Sequence, residues 1–246
     1  MPRPPISTTE MRPGREPSSL EPPFQQPTSV FLYGSPSALL DWVAWAFASA
    51  APGGYRWTDV RPAGQLPDPL GPVMRGAIPK DRCTVSDPQE LAPDHAGANA
   101  AITTGLRPDE HNPRLERLSE FLRLPTPTRA TIAARGSEGP PLVLVVGNGH
   151  RLLPFYPAST VGSTLQTLRS HGISVLNIFS EVPTENRFLF DNVWHLSGST
   201  PSAWRNATLI VEKVDHSGPM PSPGEFQLKE IPLVMVSLTR TLDAVP

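Results

Sequence analysis

Residues 29–47 read SVFLYGSPSALLDWVAWAF, and this stretch decides the fold class. Ser29–Tyr33 is a short apolar run that stops at Gly34, as a buried strand does. Ser35 is a good helix N-cap, and Pro36 suits a first helical position. Leu39, Leu40, Val43, Ala44 and Phe47 then recur at helical spacing until Pro52-Gly53-Gly54 ends the helix. Tyr55–Val60 reads as a second strand. Strand, tight turn, helix and strand in that order begin a parallel α/β sheet.

Working outward, Pro141–Val146 reads PLVLVV, the unbroken run expected of a central strand covered on both faces. Gly147-Asn148-Gly149 ends it. Thr160–Ser170 is a predicted helix with Val161, Leu165 and Leu168 on one side. Gly172 caps that helix, and Ile173–Phe179 is the next strand. The repeat implies another right-handed parallel crossover. Farther on the pattern changes. Asn192–Leu196, Ala207–Val214, Glu225–Ile231 and Leu233–Leu238 are short strands with turn residues between them, an antiparallel extension at the sheet edge. The expected class is α/β, a mostly parallel sheet with antiparallel C-terminal strands.

The flanks read differently. Eight of residues 1–28 are proline, and apolar side chains are sparse, so a disordered, Pro-rich tail is expected there. The folded domain is placed at residues 29–240, with 241–246 as a second tail. Residues 61–113 form an irregular excursion with one strand candidate, Arg82–Ser86. Pro113–Leu124 and Thr128–Ala134 are helix candidates.

Composition narrows the function. The net charge of -2 argues against a general nucleic-acid binder. A single cysteine excludes a disulfide framework and a cysteine-based zinc site. No apolar run reaches the ~18 residues of a membrane span, and no signal-peptide core is visible, so a cytoplasmic location is the expectation. The six histidines show no metal-ligand spacing, and no metal is expected. Cys83 reads as a small buried hydrophobe, Trp42 and Trp45 as packing residues, and Arg114, Arg117 and Arg123 as solvent-facing partners of Glu116 and Glu120.

Across residues 29–238 the layout resembles the RecA-like P-loop ATPase core, and within it the KaiC-like branch. SVFLYGSPSALLDWVAWAF is similar to that family's first strand, phosphate loop and helix. PPLVLVVGNGHRL is similar to the strand that carries the metal-binding acid, and TLQTLRSHGISVLNIFSE to the next helix and strand. FDNVWHLSG and NATLIVEKVDHSG are similar to the closing strands. The resemblance implies a RecA-like three-layer sandwich, and ATP as the family's ligand.

The family's motifs have decayed. A working phosphate loop is G-x-x-x-x-G-K-[ST], and residues 34–41 read GSPSALLD. Gly34 remains, but Leu39, Leu40 and Asp41 stand where the second glycine, the lysine and the hydroxyl belong. Gly147 and Asn148 stand where an aspartate would orient magnesium, and Val60-Arg61 where the acidic pair would activate water. Lys213 matches the lysine that reaches a neighbouring subunit's nucleotide in KaiC-like rings, although Asp215 replaces the arginine that follows.

The expected function is therefore a catalytically inactive domain that regulates or scaffolds through protein contacts and needs no cofactor. Its expected partner is an active relative of the same fold or another copy of itself. The tail and residues 61–113 are the expected contact surfaces. The alternative is an ATPase with a non-standard phosphate site. In that reading Gly34, Ser35, Ser37 and Asp41 surround the helix N-terminus, and His150, Arg151 and Lys213 supply the positive charge.

Overall fold

The computed structural model describes residues 23–35, 37–87, 140–151, 158–180, 185–198, 206–214 and 224–228. Its strands are β1 (Ser29–Ser35), β2 (Tyr55–Val60), β3 (Cys83–Ser86), β4 (Leu142–Gly147), β5 (Ile173–Phe179), β6 (Asn192–Ser197), β7 (Thr208–Val214) and β8 (Gly224–Gln227). Its two α-helices are α1 (Ser37–Ser49) and α2 (Ala158–Ser170). The strands form one eight-stranded sheet in the order β3-β2-β4-β5-β1-β6-β7-β8. Neighbours from β3 to β6 run parallel. The β6–β7 and β7–β8 pairs are antiparallel. The architecture is thus α/β, with a mixed and mostly parallel sheet.

Side-chain alternation along each strand divides the core into two. Val30, Leu32, Val143, Val145, Leu176 and Ile178 share one cluster with Leu40, Val43 and Phe47 of α1. Phe31, Leu144, Val146, Val175 and Phe179 share the other with Val161, Leu165 and Leu168 of α2. The two helices therefore cover opposite faces. Strands β4 and β5 are buried throughout, which is why they read as continuous apolar runs. Helix α1 is apolar nearly all round because it is covered on both sides. The sheet lies beneath it, and the Trp42 indole N–H donates to the Leu70 carbonyl at 2.8 Å in the segment outside it.

Strand β1 lies between β5 and β6, while the chain that leaves it goes first to β2. Such a reversal opens a crevice at the carboxyl ends of the strands, where ligands of α/β sheets bind. Ser35, Val60, Gly147 and Phe179 mark that edge.

Several expectations shift. The strand predicted to stop at Tyr33 runs on to Ser35, whose register partner is Ser197. Residues 23–28 belong to the fold and not to a tail. Phe24 is fully buried in the α1-side core, and the Val175 N–H donates to the Thr28 carbonyl at 2.9 Å. The excursion is folded over residues 61–87, where Ile78 is buried and β3 pairs with β2. The helix candidates at 113–124 and 128–134, the strand candidate at 233–238 and Pro36 lie outside the described residues.

The amino ends of the strands are tied by one carboxylate. Asp191 Oδ2 accepts from the Ser29 backbone N–H at 2.8 Å and the Ser29 hydroxyl at 2.9 Å. Asp191 Oδ1 accepts from Arg169, which sits in the last turn of α2 where the helix dipole favours a cation.

Candidate functional site

The connection between β1 and α1 is the place to look for an anion site. Strand β1 ends at Ser35 and α1 begins at Ser37, with a single residue between them. A phosphate loop needs a wider turn, so that several backbone N–H groups converge on the oxygens. Pro36, the residue between, has no N–H to offer. Gly34 has φ 136°, and a Cβ there would lie 1.9 Å from the Leu196 carbonyl oxygen. The glycine is thus explained by the close approach of β6, without a phosphate. Ser35 is exposed at the end of the strand, and Ser37 opens the helix.

Leu39 and Leu40 point into the α1-side core, and Leu40 is 0% exposed. Leu39 Cδ2 lies 3.3 Å from the point where a Cβ on Gly198 would sit. These leucines therefore hold the helix to the sheet. Asp41, one turn into α1, has its Oδ2 3.4 Å from the Cβ position of Gly71. Burial, and then the charges of Asp59 and Asp68, hold the Asp41 carboxyl well above the usual carboxylate range.

Asp59 is a site residue that the sequence motifs did not single out. It lies in register with Gly147 at the carboxyl edge and is 4% exposed. Asn148 Nδ2 donates to its Oδ1 at 3.0 Å. Arg61 Nε stands 3.1 Å from its Oδ2 as an ion pair, but off the line of a hydrogen bond. Burial raises the Asp59 carboxyl, and Arg61, Asn148 and Arg151 oppose that rise. Asn148 reaches Asp59 from a left-handed backbone, φ 56°, which asparagine tolerates. Gly147 faces Trp57, whose Nε1 lies 3.3 Å from where a Cβ would be. An aspartate at that position would press on the indole.

His150 and Arg151 sit in the 3-10 turn Gly149–Arg151 after β4, at the edge where they were expected. Arg151 Nη1 donates to Gln65 Oε1 at 2.5 Å. His150 Nδ1 is 3.4 Å from Ser180 Oγ, and its ring packs edge-on at 6.3 Å from Phe179 on the α2 side. Gly149 is required by contact, since a Cβ would meet Asn177 Oδ1 at 2.0 Å.

Lys213 is elsewhere. It is paired with Val193 near the start of β6, while Val30 pairs with Asn192, which puts Lys213 at the amino ends of the parallel strands. Its ammonium donates to the Phe188 carbonyl at 2.9 Å and the Phe190 carbonyl at 2.7 Å. The grouping of Lys213 with His150 and Arg151 is therefore corrected: antiparallel β7 carries its C-terminal end to the opposite edge of the sheet.

The carboxyl edge so assembled is a set of mutually paired groups: Asp59 with Arg61 and Asn148, Arg151 with Gln65, and His150 with Ser180. The pairing of Asp59 with Arg61 had a local signal, a carboxylate and a guanidinium two residues apart at a strand end. Gln65 and Ser180 had none. Among the described residues no group of three or more His, Cys, Asp or Glu side chains is placed to hold a metal ion. No protein-family model matches the chain, and no curated protein matches its sequence.

Proposed function

We propose that this chain is a catalytically inactive RecA-like domain of the KaiC branch that works as a regulatory or scaffolding protein through contacts with other proteins. A mostly parallel sheet, antiparallel β7 and β8 at one edge and a helix on each face support the three-layer reading. The observation that carries the loss of activity is the one-residue step from β1 to α1, with Leu40 buried where a phosphate-binding lysine would stand. That arrangement offers phosphate neither a ring of N–H groups nor a cation. A core and a site make separate demands, so a fold can outlast its chemistry.

The competing reading, ATP at a non-standard site, retains His150 and Arg151 at the crevice. It loses Lys213 to the far edge, and Arg151 is bonded to Gln65.

Calorimetric titration of the full chain with ATP and magnesium, together with a phosphate-release assay, tests the proposal. The expected result is no saturable binding and no turnover above a protein-free control. Micromolar binding with steady hydrolysis refutes it. For the contact half, native mass spectrometry of the chain isolated from its own cells should show a stoichiometric complex. Recovery as a lone monomer counts against it.

A further inference from the structure

We draw no further inference here: the strongest candidate, the side-chain cluster at the carboxyl edge where Arg61 and Arg151 meet at Gln65 beside Asp59, belongs to the site already described, and its guanidinium groups are already taken up by Asp59 and Gln65.

Discussion

At the scale of single residues, one glycine separates two readings of the same motif. Gly34 is the glycine of the phosphate-loop resemblance, yet its φ of 136° and its contact with the Leu196 carbonyl come from β-sheet pairing. Gly34→Ala should therefore destabilise the whole fold by about 3 kcal/mol or more, through strain and overlap with β6. Urea denaturation checks this. A variant as stable as the parent would show that β6 does not need the glycine. Asn148 gives the complementary lesson. An asparagine between two glycines reads as turn punctuation, and only the left-handed backbone explains how its amide reaches Asp59.

At the scale of elements, the strands were legible and their boundaries less so. Ile173–Phe179 is observed as predicted, because a run buried on both faces has to be apolar from end to end. Strand β1 exceeds its apolar run by two residues, Gly34 and Ser35, because β6 continues to pair with it through Leu196 and Ser197. The segment before β1 was read as tail from its prolines. Phe24 contradicts that, since a lone aromatic in a Pro-rich segment carries no periodicity yet is buried in the α1-side core. Phe24→Ala should cost about 3–5 kcal/mol, the range for emptying a buried aromatic site. Equilibrium unfolding measures it. A change below about 0.5 kcal/mol would return residues 23–28 to the tail.

At the scale of the molecule, the placing of β1 between β5 and β6 organises both edges of the sheet. At the amino edge Asp191 joins β1, the entry to β6 and the end of α2. Asp191→Ala leaves the buried Ser29 N–H and the Arg169 guanidinium without their acceptor. It should cost about 1–3 kcal/mol, mainly from the unsatisfied Ser29 N–H because Arg169 is partly exposed, and the thermal unfolding midpoint should fall by roughly 5 °C. An unshifted midpoint would mean that the tie contributes nothing. By itself the sequence determined the α/β class, the central strands and the absence of a standard phosphate loop, because hydrophobic period and missing residue types are local properties. Tertiary structure alone decided which distant groups meet. It sent Lys213 to the opposite edge from Arg151, paired Asp59 with Asn148 and set Leu70 against Trp42 of α1. The reason is physical: strand order and direction arise from how whole elements pack, and residues brought together from 89 positions apart leave no trace in either neighbourhood.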